Sequence, residues 1–429
     1  MLKTKSNHGT DYPPPVIAWT TVSALSFTYM FSLIDRQILV LLFDPIKADL
    51  QITDTQIGLL SGLAFALVYT VMGIPMGRAA DLWVRKYVII IGVFIWSIMT
   101  ILSGFARNFF QLFVARMGVG FGEAALTPTA YAMIGDIFPP NRLAQGMSLF
   151  VFGGMLGSVM ALLIGGAVIG LAGSIGSLQI PYLGEIHSWQ LVLVIVGGAS
   201  LLMVIPLSLI PEPKRHCTLF PKNKQTVSQQ QGEVTQALSF REVLGYMWDK
   251  RRFYLPFILG ISFTAMANYG VGTWLPTYFI RVHDWSVAST GMTLGVLLLI
   301  SLPGGWVSGW LADHFYEKGY RGISLFMTIA VLALSVPAIF FLVYVPVISL
   351  KMLAFVIWNL ILMAFHVMLP TMIQMATPHP IRAQVSAIHL FVINLIGISF
   401  GPVLVALITD HLFQDEMAVG HSIAIVSAV

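Results

Sequence analysis

Apolar runs of about 18 to 30 residues recur along the whole chain between short polar turns, a length that suits α-helices crossing a ~30 Å hydrocarbon core. The runs are too continuous for the alternating strands of an outer-membrane barrel. Eleven complete spans are predicted, at approximately 15–44, 54–77, 87–106, 108–138, 141–171, 188–210, 253–281, 286–312, 323–346, 350–376 and 380–409. A twelfth begins near 418 and has only about twelve residues before Val429, short of a crossing length. The expected fold is therefore an all-α polytopic membrane protein whose twelfth helix is incomplete.

Composition agrees: 57% of residues are hydrophobic, 10% are charged and the mean hydropathy is +0.83, far from the ~25% charged of soluble domains. One cysteine, Cys217, leaves no internal disulfide or thiolate metal cluster to expect. Residues 1–14 form a polar, proline-rich tail with no apolar stretch ahead of a small-residue cleavage site, so the first span is expected to be its own insertion signal. The basic residues follow membrane side rather than one patch interleaved with aromatics, which argues against a nucleic-acid partner. With the N-terminus inside, seventeen Lys and Arg fall on the cytoplasmic side and four (Lys47, Arg107, Arg281 and Lys351) outside. That asymmetry obeys the positive-inside rule and predicts two cytoplasmic termini in a cell inner (plasma) membrane.

The polar stretch 211–252 divides the spans into an N-terminal six-helix bundle, 15–210, and a C-terminal bundle, 253–429. Its distal part, SFREVLGYMWDKRR, alternates apolar and basic residues at helical spacing, as an amphipathic helix on the inner leaflet or a solvated connection would. The loop Gly77-Arg-Ala-Ala-Asp81 with Arg85 and Lys86 returns as Gly309-Trp-Leu-Ala-Asp313, and Pro128 followed by Arg142 returns as Pro370 followed by Arg382. A duplicated six-helix unit is the parallel repeat of the major facilitator architecture, two bundles around a central cavity. In each loop glycine permits close helix approach and aspartate can pair with arginine across the lobe interface, making a cytoplasmic gate; a plain structural turn is the alternative.

Arg116 and Glu123 lie inside one apolar span, where a charge costs roughly 2.5–3.5 kcal/mol and so faces a water-filled path or a partner charge. Seven residues at about 100° each return them to one helix face, near Thr127 and Tyr131. At 1.5 Å per residue Arg116 lies about 12 Å and Glu123 about 22 Å from the outer end, while Asp35, next to Arg36, reaches the depth of Arg116. Asp35 and Arg116 are thus expected to meet. Asn359 and His366 repeat the seven-residue spacing in the second unit, and Asn268 falls near the midplane of the seventh span. Phe31, Trp274, Trp358 and Phe365 are aromatic candidates for an acyl-chain wall, with core packing the alternative for each.

The chain resembles major facilitator transporters over essentially its full length, and within them the spinster branch. The resemblance rests on Asp35-Arg36 with the following ITDTQIGLL, on Gly77, Asp81, Arg85 and Lys86, and on Arg116 and Glu123 in RMGVGFGEA. Leu82 and Val84 depart from the family loop. The resemblance implies a secondary transporter of lysolipid-like amphiphiles, with lysophospholipids and sphingosine-1-phosphate as eukaryotic examples, acting as a monomer among membrane lipids with protons as the coupling ion. Burial favours a neutral carboxyl whereas a guanidinium stays charged, so Asp35 and Glu123 are the expected proton carriers and a released Arg116 the expected holder of an anionic headgroup. A drug or organic-anion carrier of the same fold and a non-transporting membrane receptor are the alternatives. No HExxH or GxSxG motif and no metal-spaced histidine pair lies in a span, so neither an enzyme nor a cofactor is expected.

Overall fold

The computed structural model describes residues 12–139, 142–175, 178–180, 184–214, 240–320, 322–378 and 381–428. Among them ten helices are long and apolar enough to cross a membrane. In the first half these are helix 1 (Pro15–Leu50), helix 2 (Asp54–Leu82), helix 3 (Arg85–Ser103), helix 4 (Phe109–Ile137), helix 5 (Gln145–Leu171) and helix 6 (Ser188–Leu209). In the second they are helix 7 (Arg251–His283), helix 8 (Val287–Glu317), helix 9 (Phe326–Tyr344) and helix 11 (Gln384–Phe413). Helix 10 (Ile348–Ala376) runs between the last two, and helix 12 (Val419–Ala428) has 10 residues. Hydrophobic length thus located every span, although helix 1 continues past its expected end at 44 through a 3-10 turn, Leu39–Leu42.

One element departs from the all-α expectation. Leu178–Ile180 pairs antiparallel with Gly184–Ile186, Leu178 opposite Ile186, and Arg107 Nη1 donates to the Glu185 carbonyl at 3.0 Å. In the inter-bundle stretch a helix does form, Phe240–Asp249. Its Val243 and Met247 pack on Tyr254, Ile258, Ile381 and Val385, while Leu244 and Trp248 face outward. Cys217 lies outside the described residues.

Prolines break two helices where polar groups must enter the interior. Proline lacks an N–H and its ring crowds the carbonyl four residues earlier. Pro128 accordingly interrupts helix 4 at Ala124 and Ala125, directly after Glu123. Pro402 likewise follows a π-helical turn, Asn394–Ile398, in helix 11, a distortion common at functional sites.

The apolar core joins the two halves chiefly at one end of the described bundle, where Phe43 and Leu60 share a cluster with Trp274, Phe279 and Val405. A second cluster, with Val22, Phe65, Val93, Trp96 and Phe150, belongs chiefly to the first half. The glycine-rich run of helix 5 serves close packing on helix 1, because a Cβ at Gly157 would stand 2.5 Å from the Met30 carbonyl oxygen. Gly157→Ala is expected to destabilise the protein by about 1–3 kcal/mol through overpacking. Thermal unfolding in detergent checks this, and an unchanged midpoint would show that helix 1 yields freely.

Candidate functional site

Ser32, Asp35 and Arg36 project from one face of helix 1, three and four residues apart. Helix 4 runs the opposite way, so its order of contacts is reversed. Arg116 Nη1 stands 3.6 Å from Asp35 Oδ1, as the depth arithmetic predicts, and Arg36 Nη2 donates to Glu123 Oε2 at 2.7 Å. Ser32 Oγ donates to the same Glu123 oxygen at 2.8 Å, and Thr100 of helix 3 donates to Asp35 Oδ2. Phe65 of helix 2 lies under both guanidinium groups, 4.2 Å from Arg36 and 5.8 Å from Arg116, and Tyr69 lies 4.9 Å from Arg36. Asp35, Arg116 and Glu123 are each at most 1% exposed.

The cluster is incompletely bonded. Asp35 Oδ1, Glu123 Oε1 and all three Arg116 side-chain nitrogens are buried without a hydrogen-bond partner among the described residues. A buried charge left this incompletely bonded carries a desolvation cost that a fully bonded ion pair does not.

A cavity of ≈ 650 Å³ opens beside the cluster. Arg36, Tyr131 and Asn268 form part of its wall, with apolar surface from Leu33, Met155, Leu298 and Leu362. Asp35, Arg116 and Glu123 stand behind that wall rather than on it. Arg116, expected from the sequence to meet cargo, is off the wall in this conformation, whereas Arg36, with 20% of its side chain exposed, is on it. The reason is helix rotation, which turns Arg116 toward helices 1 and 2. Thr127 is half-buried and off the wall. Asn359 is also off it, 4% exposed, its amide donating to the Phe355 carbonyl of its own helix at 3.0 Å. Trp274, whose Nε1 donates to the Pro402 carbonyl at 2.8 Å, and Trp358 are core residues rather than an acyl-chain wall. The side chains of His366, Phe365 and Asp313 lie outside the described residues.

Several wall residues escaped the sequence reading. Gln37 donates to Ser158 Oγ at 2.9 Å, and Tyr29, Tyr269, His389 and Asn394 also line the cavity. A polar residue inside an apolar helix was the available signal for His389 and Asn394.

At the end where the core chiefly joins the two halves, charges clamp them. Arg281 at the end of helix 7 donates to Asp44 through Nε (2.8 Å) and Nη2 (2.6 Å), and to Asp54 through Nη1 (2.6 Å) and Nη2 (2.9 Å). Lys47 joins Asp54 (2.6 Å) to Glu416 (2.8 Å), and the Thr55 amide and hydroxyl both donate to Asp410 (2.6 and 2.7 Å). Both Arg281 and Asp54 are withdrawn from solvent, their side chains 7% and 0% exposed.

The repeated loop occupies the other end, and among the described residues Arg85 and Lys86 there bond close by rather than across to the second half. Arg85 bonds Asp136 and the Ala132 carbonyl (3.2 Å), and Lys86 Nζ donates to the Ser208 carbonyl (2.5 Å). Glu212 accepts from the Arg85 and Lys86 amides at 2.9 Å each, capping the N-terminus of helix 3. Asp136, Ala132 and Ser208 belong to the first half, and Glu212 to the stretch that directly follows helix 6. Gly77 is loosely surrounded, a Cβ there meeting nothing nearer than Pro128 at 3.9 Å. Gly309 lies within helix 8, and Asp81 ends helix 2.

A family model described as Major Facilitator Superfamily matches residues 25–402. A solved bacterial homolog of the human lysosomal transporter Spinster, in an inward-facing and unoccupied conformation, has a TM-score of 0.79 at 26% identity, covering 97% of this chain and 95% of that one. An MFS-type efflux pump of Mycolicibacterium smegmatis is 28% identical over 97% of this chain and 91% of its own length. A probable L-galactonate transporter of Escherichia coli is 23% identical over 94% and 85%. With that family match over most of its length and this helical architecture, the chain belongs to the major facilitator superfamily and is similar within it to the spinster proteins.

Proposed function

We propose that this secondary transporter moves an anionic, lysolipid-like amphiphile by alternating access, coupled to protons through Asp35 and Glu123. The observation that carries the reading is the position of Arg36, between Glu123 on one side and a largely apolar cavity wall on the other. A fixed cation at one edge of an apolar chamber suits a single-tailed anion: the guanidinium takes the headgroup and the leucines and methionines take the chain.

The coupling follows from competition. Glu123 ionised holds Arg36; Glu123 protonated loses its charge and lets the guanidinium turn to the cargo. Proton and anion then favour each other's binding, and linkage makes the effect reciprocal. Asp35 bears the same relation to Arg116, with Thr100 steadying its other oxygen. Both carboxylates are out of bulk water, so their proton exchange depends on which end is open.

The two lobes in this scheme are 15–210 and 253–429. The lopsided basic residues support placing the clamped end outside, which leaves the loop bearing Gly77, Asp81, Arg85 and Lys86 at the cytoplasmic side and makes this an inward-facing state. The likeness to an inward-facing homolog supports the same assignment.

A second reading, a sugar-acid anion as cargo, is favoured by the amides of Gln37 and Asn268 on the wall and by the relative named for L-galactonate. Proteoliposomes separate the two. Under an imposed pH gradient, lysophosphatidate is expected to accumulate and galactonate to stay at background; the reverse result would replace the amphiphile with a sugar acid.

A further inference from the structure

Helix 11 presents Ser386, His389, Leu390, Ile393 and Asn394 to the cavity. His389 is 3% exposed, and its Nδ1 is buried without a hydrogen-bond partner among the described residues. Its ring lies against Phe257, centroids 6.1 Å apart and planes 25° from parallel. Behind it, Ile388 and Val392 pack with Phe257 on the cluster that includes Tyr254 and Val385.

A buried polar atom left unbonded costs about 1–3 kcal/mol, and a phenylalanine or leucine would fill the same space without that cost. Nδ1 is closed off from the cavity, so a group on the wall side meets the ring through its other nitrogen, Nε2. We infer that His389 is a cargo-recognition residue, bonding a hydroxyl or amide of the cargo at a point separate from the anion held by Arg36. This rests on the proposed role of the cavity. An imidazole packed on an aromatic ring offers one N–H and one lone pair, and a hydroxyl, itself donor and acceptor, matches either tautomer. A bare hydrocarbon matches neither. The cargo class narrows to an anion carrying a second, neutral hydrogen-bonding group, and His389 sets the discrimination against analogues that lack it.

Two probe pairs test this on the full chain purified in detergent: lysophosphatidate with its deoxy analogue lacking the free glycerol hydroxyl, and galactonate with its monodeoxy analogues. Affinities are measured by calorimetric titration for wild type, His389→Phe and His389→Asn. In whichever pair binds, wild type is expected to prefer the hydroxylated member about tenfold, the discrimination of roughly one neutral hydrogen bond. His389→Phe erases the preference while leaving deoxy affinity within about twofold, and His389→Asn retains part of it. A purely structural histidine would lower both affinities together, and an undiminished preference in either variant that folds, or equal losses for both members, overturns the assignment. If the galactonate pair alone binds, the amphiphile reading fails while that pair's ratio still judges His389. If neither pair binds, both fall.

Discussion

Replacing Arg281 with glutamine opens the clamped end and shifts the protein toward its opposite conformation. Arg281 is the point where Asp44 and Asp54 are neutralised together, through four short hydrogen bonds from a side chain that is 7% exposed. Removing one member of a buried ion pair costs about 3–5 kcal/mol when the remaining charge is left without compensation, and the lower end applies to Arg281 because Lys47 stays on Asp54 and Asp44 is 31% exposed. Here the cost falls on the closed state, since parting the halves returns both carboxylates to water. A differential of about 3 kcal/mol moves a two-state ratio by roughly 10²-fold. Spin labels at Ala48→Cys and Leu412→Cys, exposed positions at this end in the first and second halves, report the separation in a Cys217→Ala background. The distance distribution is expected to gain a long component that becomes the major one in Arg281→Gln. Arg281→Lys, which keeps charge but cannot fork between two carboxylates, falls between. An Arg281→Gln distribution superimposable on that of the parent would mean that the apolar contact of Phe43 with Trp274, 5.1 Å between centroids, closes this end without help from charge.

Glu123→Gln is expected to uncouple transport. Glutamine preserves the shape of the side chain and can still receive hydrogen bonds from Ser32 and Arg36, but it takes up and releases no proton. Each proton carried down one pH unit releases about 1.36 kcal/mol, so a gradient of about two units can sustain roughly 100-fold accumulation per proton. In the variant that accumulation collapses to about unity, while exchange of labelled for unlabelled cargo across the same membrane persists, because exchange needs the site and not the gradient. Uptake into proteoliposomes with and without the gradient separates the two activities. Acceleration by the gradient equal to that of the parent would remove Glu123 from the coupling scheme. Glu123→Ala should be less stable than the double variant with Arg36→Gln, since the single change strands a guanidinium and the double change does not.

The site was legible in its charges and in only one of their pairings. Asp35 and Arg116 came together because both depths follow from 1.5 Å per residue along straight helices, a local quantity. The pairing of Arg36 with Glu123 did not follow, because a long arginine reaches a different level of the neighbouring helix from the one its own Cα occupies. Ser32 and Thr100 were passed over as ordinary polar residues of apolar helices, and only packing shows each donating to a carboxylate. In the loop near Gly77, Asp136 comes from the end of helix 4 and Glu212 from the stretch just after helix 6, and no spacing rule links either to Arg85.

The amino-acid sequence by itself determined the membrane-spanning helices, the repeated loop, the lopsided basic residues and the presence of a charged interior. These are properties of length, composition and period within single segments. Only the tertiary structure decided that Arg36 rather than Arg116 meets the cavity, that Arg281 reaches Asp44 and Asp54, and that His389 joins the wall. Helices apolar on nearly every side carry little information about their own rotation, and the packing of neighbours supplies it.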